Sequence, residues 1–127
     1  MENFAELSWL AIVVGAVVSF LVGWVWYSPI LFLKKWAEGS GLPPEPPEKP
    51  PAFPMLAQVI ALLLLSTVIG ITATANALIT AILAILTAAA FVVSNGAWCK
   101  KSCYALAVDF FYVVVSGVIM IVCQGIF

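Results

Sequence analysis

The sequence predicts an all-α protein, an integral membrane bundle of four transmembrane helices in a single domain over residues 1–127. Of these residues 65% are hydrophobic and only 9% are charged, whereas a soluble domain carries about a quarter charged residues. Its apolar runs reach the roughly 20 residues that a helix needs to cross the hydrocarbon. Lipid cannot satisfy the edge hydrogen bonds of an open sheet, so the spans are predicted to be helices.

The first run could be mistaken for a signal peptide, but Glu2 and Glu6 occupy the place of a basic n-region and no small-residue cleavage site follows. A turn is required in the polar, uncharged stretch 72–76, because one helix through both central runs would exceed the bilayer about twofold. Asp109 is the one charged residue in the last run. The predicted spans are about 9–29, 53–72, 76–98 and 103–126.

Orientation follows from the lysines. Lys34, Lys35 and Lys49 lie between the first and second spans, and Lys100 and Lys101 lie between the third and fourth. With four spans these two loops fall on one side, which the positive-inside rule predicts to be cytoplasmic. Both termini are therefore expected on the non-cytoplasmic side of a bacterial inner membrane or an organelle membrane, in a multi-pass protein.

The one sizeable loop, residues 37–52, is rich in proline and is predicted to be cytoplasmic. Its prolines and glycines oppose helix and sheet and favour extended polyproline II. We interpret this loop as a stiff spacer between two spans. The alternative is a docking motif, because Pro44 and Pro47 have the P-x-x-P spacing that binds aromatic grooves.

Small residues recur at helical spacing in three spans. Apolar helices in lipid gain little from the hydrophobic effect, so close backbone approach governs their association. The pattern predicts helix-contact faces, and leaves open whether the contacts lie within one chain or between copies. The residues concerned are Gly15, Ser19 and Gly23 in the first span, Gly70 in the second, and Ala81, Ala84 and Ala88 in the third.

A local signature resembles an uncharacterised family of small membrane proteins, domain of unknown function 1761. The signature is Trp26-Tyr27-Ser28-Pro29, preceded by Gly23 and followed by Phe32 and Lys35-Trp36. The resemblance extends to Asn95 and Asp109, but Val113 stands after Tyr112 where the family pattern has histidine. It implies a four-helix fold and brings no established activity.

Asp109 is the leading candidate for chemistry. A charge at mid-membrane costs roughly 2.5–3.5 kcal/mol on insertion scales, so an intramembrane acid suggests a functional site. Helical spacing places it on one stripe with Tyr112 and Ser116. The stripe either lines a polar path or faces other helices, with Asp109 bonded to Ser94, Asn95 or Tyr112. Because no lysine lies within a span, we expect a largely neutral Asp109.

Several classes of site are not expected. The chain has no histidine, which removes the commonest metal ligand and general base. Three cysteines without histidine make a poor metal site. No nucleophile–base pair, phosphate loop or basic patch is evident. We therefore expect no enzyme activity, no metal, no cofactor and no nucleic-acid partner.

Two functional classes remain. The first is a non-enzymatic protein that acts through helix packing, as a homo-oligomer or as an accessory subunit of a larger membrane complex. The second is a small oligomeric transporter or channel that uses Asp109 as a proton or cation site. The expected partners are membrane lipids, further copies or other membrane subunits. Trp24, Trp26 and Tyr27 could contact a lipid, quinone or pigment, although they also suit an interfacial aromatic belt.

Overall fold

The computed structural model describes residues 7–28, 31–41 and 52–127, and in these ranges the chain is all-helical with no strand. Four of the helices are long and apolar enough to cross a membrane, with mean hydropathy of 2.2 to 2.4, which confirms the predicted fold class. The helices are α1 (Trp9–Trp26), α2 (Leu33–Ser40), α3 (Ala52–Thr74), α4 (Leu78–Trp98) and α5 (Cys103–Ile126).

The helix α5 lies at the centre of the bundle and packs against α1, α2, α3 and α4. Helix α1 is antiparallel to α5. A Cβ atom added at Gly15 would lie 3.4 Å from the Met120 Cα atom, and one added at Gly23 would lie 2.7 Å from the Tyr112 hydroxyl. The two backbones thus approach closely at Gly15, and Gly23 leaves room for the Tyr112 side chain, as small residues do in membrane helix pairs.

The other helices pack with equally regular registers. α4 is antiparallel to α5, since Gly117 lies against Ile85 and Gly96 against Leu106. α3 is antiparallel to α1, and the Ser66 hydroxyl donates to the carbonyl oxygen of Ile12 at 2.8 Å. The carboxyl end of α1 and the amino ends of α3 and α5 consequently meet at one end of the bundle. This end also carries Lys34, Lys35, Lys100 and Lys101 and is here called the lysine end.

Two helices begin at serine caps. The hydroxyl of Ser8 accepts from the backbone N–H of Ala11 at 3.3 Å, and that of Ser102 accepts from Ala105 at 3.1 Å. Each hydroxyl satisfies one of the amide donors that a helix leaves free in its first turn. The expected turn between the central spans follows α3, with Asn76 in the left-handed region at φ 53°.

The prediction of a non-helical loop over 37–52 is wrong at both ends. Helix α2 continues to Ser40 and ends at Gly41, which has φ 73°, and α3 already begins at Ala52. Proline is tolerated in a first helical turn, where its missing N–H has no helical partner, so Pro54 does not prevent α3 from starting there. The centre of the loop, 42–51, lies outside the described residues, as does Pro29.

The small-residue face of α1 is used within the chain. Gly15 and Ser19 are buried and Gly23 is half-buried, all against α5 or α3. On α4 the expected stripe is only partly correct: Ala81 is buried, whereas Ala84 and Ala88 are half-buried. The buried face of α4 is turned slightly away from the predicted stripe, because the side chain of Ile85 packs against Gly117 of α5. The buried residues of α4 are Ala81, Ile85, Ala89 and Gly96.

Candidate functional site

Asp109 lies in the second turn of α5, at the lysine end of the bundle, and is 6% exposed. It belongs to a buried stripe that includes Ala105, Tyr112, Ser116 and Met120. The stripe faces the other helices and not the lipid, because its members are buried where α5 packs against its neighbours in the bundle. Three other helices or turns bring polar groups to it.

Three side chains donate hydrogen bonds to the Asp109 carboxylate. The Tyr27 hydroxyl, just after α1, donates to Oδ1 at 2.5 Å. The indole Nε1 of Trp36, on α2, donates to the same oxygen at 2.9 Å. The Nζ atom of Lys101, in the turn before α5, lies 2.9 Å from Oδ2. One carboxylate therefore joins α1, α2 and the α4–α5 turn.

The expectation that no lysine would reach Asp109 is wrong, and so are the expected partners Ser94, Asn95 and Tyr112. Lys101 follows Lys100, whose φ of 60° turns the chain back, and its side chain is only 25% exposed. A long aliphatic stem can follow the bundle while its ammonium group meets a buried acid. The Asp109 carboxylate thus has an ammonium partner and two further hydrogen-bond donors.

Aromatic rings enclose this cluster. The ring of Tyr27 lies 4.9 Å from that of Trp36 and 5.5 Å from that of Tyr112, both in edge arrangements. The Lys101 ammonium lies 5.3 Å from the centre of the Trp36 ring, within cation–π range. Burial, followed by the negative charge of Asp109, raises the pKa of Tyr27 above its usual range. The phenol is thus held neutral as a donor.

Of the other predicted site residues, Tyr112 and Ser116 are buried on α5, whereas Asn95 is exposed on α4. The Tyr112 hydroxyl donates to the Ser19 carbonyl oxygen at 2.9 Å and accepts from Gln58 Nε2 at 3.1 Å. Ser116 is buried, and its Oγ has no hydrogen-bond partner among the described residues. Asn95 is exposed on α4 and does not join the cluster.

On α5 the polar stripe runs from Asp109 to Ser116 and is followed one turn later by Met120. The interior beyond Ser116 contains Ile12, Ile69 and Met120, each of which is at most 2% exposed. The Ser66 hydroxyl is buried at the same level and donates to the carbonyl oxygen of Ile12. The polar stripe of α5 itself therefore ends at an apolar residue.

The sequence patterns did not indicate Lys101, Trp36 or Gln58 as members of this region. Trp36 belonged to the family signature, and that was the available signal for it. In the signature itself, Trp26 donates from Nε1 to the Val108 carbonyl oxygen at 3.0 Å, and Ser28 donates to the Val25 carbonyl oxygen. Trp26 and Tyr27 are therefore engaged by α5.

No curated protein and no solved structure is significantly similar to the chain. A family model matches residues 10–125, from the second residue of α1 almost to the end of α5. That range contains the signature, the whole Asp109 cluster and all but the first residue of α1 and the last residue of α5 among the four long helices. The chain therefore belongs to the family described as protein of unknown function (DUF1761).

Proposed function

We propose that this protein is non-enzymatic and works in the membrane as a homo-oligomer assembled through the outer face of α4. One observation carries the proposal: a seam of five small or hydroxylated residues and one leucine that are all exposed on that face. Its members recur at alternating steps of three and four residues, the spacing of a left-handed helix pair. The members of this α4 seam are Thr80, Leu83, Thr87, Ala90, Ser94 and Ala97.

The physical case rests on what drives helix association in lipid. Small residues let two backbones approach, and hydroxyl groups add interhelical hydrogen bonds. The Thr87 hydroxyl donates to the Leu83 carbonyl oxygen at 2.7 Å, which leaves its lone pairs free to accept from a partner. The comparable face of α1 is already covered by α5 and α3, so the α4 seam is the small-residue face available to another copy.

Substitution of Ala90 by Leu tests the proposal. We expect a defined oligomer in lipid nanodiscs for the wild-type chain of 13.6 kDa, measured by native mass spectrometry, and a shift to monomer in Ala90→Leu. Ala61→Leu is the matched control, because Ala61 is exposed on α3 at a similar number of residues from the lysine end. A monomeric wild type, or an unchanged oligomer in Ala90→Leu, would refute the proposal. A co-purifying foreign subunit would favour the accessory role.

The absence of catalysis is part of this proposal. Asp109 is the one buried acid among the residues that the structure describes. It is engaged by three donors that belong to the fold, which supports a structural role for it. The transporter alternative makes a different prediction for vesicles that enclose a pH-sensitive dye. Proton flux in the wild type that disappears in Asp109→Asn, with the oligomer intact, would establish the alternative and overturn the non-enzymatic packing role as the main function.

The orientation is a further part of the proposal: the lysine end faces the cytoplasm and both termini face away from it. The lysine distribution supports this arrangement through the positive-inside rule. Cys99 and Cys103 are exposed at the lysine end and serve as native reporters. A membrane-impermeant maleimide should leave them unlabelled in intact expressing bacteria and label them after permeabilisation. Labelling of intact cells would reverse the orientation.

A further inference from the structure

A cleft opens at the end of the bundle opposite the lysines, between α3, the α3–α4 turn and the last turns of α5. It has a volume of about 310 Å³, at the lower end of the range for small-molecule sites. Its walls combine apolar side chains with a few polar ones. The residues that line it and enter the argument are Thr72, Asn76, Leu78, Ile121, Gln124 and Gly125.

One buried polar atom of the residues that line the cleft has no hydrogen-bond partner in the described ranges. The Nε2 atom of Gln124 is buried and has no hydrogen-bond partner within the described part of the chain. It lies against α3 because Gly70 has no side chain: a Cβ atom there would be 3.2 Å from Nε2. A buried donor without a partner costs about 1–3 kcal/mol. Gln124 also lines the cleft, so a turn of its side chain away from Gly70 would bring this donor to a ligand oxygen in the cleft and remove the cost.

The same cleft also offers an acceptor. Thr72 is 7% exposed, and its hydroxyl donates to the Ile69 carbonyl oxygen at 2.7 Å, so its lone pairs remain available. Asn76 adds an amide at the rim. None of the lining residues is charged. The site therefore suits an uncharged head that presents a carbonyl oxygen, since an ionic head would be desolvated there without a counter-charge.

The apolar part of the cleft suits a hydrocarbon chain. Leu78 is 56% exposed beside it, and Ile121 lines it from α5. The cleft lies at the ends of helices that are long enough to span the hydrocarbon, which is the depth at which lipid ester groups meet acyl chains. A head held by Gln124 would thus leave its chain directed along the helices.

We propose that this cleft binds an uncharged amphiphile, whose carbonyl oxygen accepts a hydrogen bond from Gln124 and whose chain packs beside Leu78 and Ile121. Two kinds of membrane molecule have this chemistry, a neutral glycerolipid and a quinone. The site is separate from the Asp109 cluster and from the α4 seam, so it does not depend on the proposed oligomer.

Binding is measured by native mass spectrometry of the detergent-solubilised full chain with added dioleoylglycerol, decylubiquinone or anionic phosphatidylglycerol. Gln124→Leu removes the donor and should weaken binding roughly fivefold, the effect of about one hydrogen bond. Gly125→Leu should fill the cleft without strain, since a Cβ atom there meets no heavy atom within 4 Å. Val122→Leu, at an exposed position of α5 outside the cleft, is the control and should bind as the wild type does.

Binding of dioleoylglycerol alone would identify a glycerolipid site. Binding of decylubiquinone alone would identify a quinone site. Either result supports the proposal. Three outcomes would overturn it: neither probe binds, phosphatidylglycerol binds as well as the neutral probes, or Gly125→Leu retains wild-type binding. Thermal unfolding of each variant in the same detergent shows whether its bundle is intact. A loss of binding in Gly125→Leu supports the proposal only if its unfolding temperature matches that of Val122→Leu.

Discussion

We expect the Lys101–Asp109 ion pair to stabilise the bundle strongly. We also expect that removal of its two partners will lower the free energy of unfolding by different amounts. The Asp109 side chain is 8% exposed, whereas that of Lys101 is 25% exposed. When Asp109 is replaced by Asn, the lysine can turn its ammonium group toward water or lipid head groups. When Lys101 is replaced by Met, the carboxylate remains buried with only the two neutral donors Tyr27 and Trp36. Lys101→Met should therefore be the more destabilising change.

The magnitudes follow from the geometry. Removal of one partner of a fully buried pair costs about 3–5 kcal/mol, and we expect Lys101→Met to lie near the lower limit, at about 3 kcal/mol. In Asp109→Asn the amide oxygen can still accept at the Oδ1 position, so about 1–2 kcal/mol should be lost. The coupling energy from the double variant should be about 1–2 kcal/mol.

The assay is SDS titration of the protein in mixed micelles, followed by tryptophan fluorescence, to which Trp36 in the cluster contributes. Lys100→Met is the control: it removes an exposed lysine beside the pair and should change the free energy of unfolding by less than about 0.5 kcal/mol. A Lys101–Asp109 coupling energy below that limit would show that the pair does not stabilise the bundle. A larger loss in Asp109→Asn than in Lys101→Met would contradict the argument from exposure.

Three further predictions concern backbone contacts and ionisation. Gly117→Ala should cost about 1–3 kcal/mol by overpacking, because its new methyl group would overlap the Ile85 side chain, whereas Gly125→Ala should be neutral in the same titration. Gly39→Ala should detach α2 from α5, since its methyl group would overlap Ser102, and this should appear as faster amide exchange in α2. Burial and the nearby Asp109 raise the pKa of Tyr27. The contribution of Tyr27 to the free energy of unfolding is therefore fully present below about pH 10, the pKa of an unperturbed tyrosine, and is lost as the pH rises above it. Tyr27→Phe should reduce that loss by up to about 1.4 kcal/mol per pH unit.

The sequence predicted the four long helices because their length and apolar composition are local properties. It did not predict α2, an eight-residue helix that ends beside glycines and is held by contacts with α5. Those contacts join residues far apart in the chain, such as Trp36 and Asp109. Helical periodicity identified the buried stripe of α5, but it contains no information on which neighbour each residue meets.

The error over Asp109 has a physical origin. The expectation rested on the absence of lysine within a span and on the general tendency of lysines at helix ends to extend toward water. Here a buried carboxylate lies within reach of Lys101, and the attraction between two poorly solvated charges outweighs solvation of one. The sequence places both residues near the start of α5. Whether the lysine turns inward depends on the surroundings supplied by Tyr27, just after α1, and by Trp36 on α2.

The Asp109 cluster also answers a question that small-residue packing leaves open. Gly15, Ser19 and Gly23 repeat every fourth residue on α1, so a shift of α1 by one step, about 6 Å along its axis, would again place small residues against α5. Packing alone therefore distinguishes poorly between neighbouring registers. The hydrogen bond from Tyr27 to Asp109 forms in only one of them, and any other register would leave a carboxylate short of a donor in a poorly solvated interior. A buried polar group that costs energy in lipid can thus specify the alignment of two helices, which is the best-attested structural use of such groups.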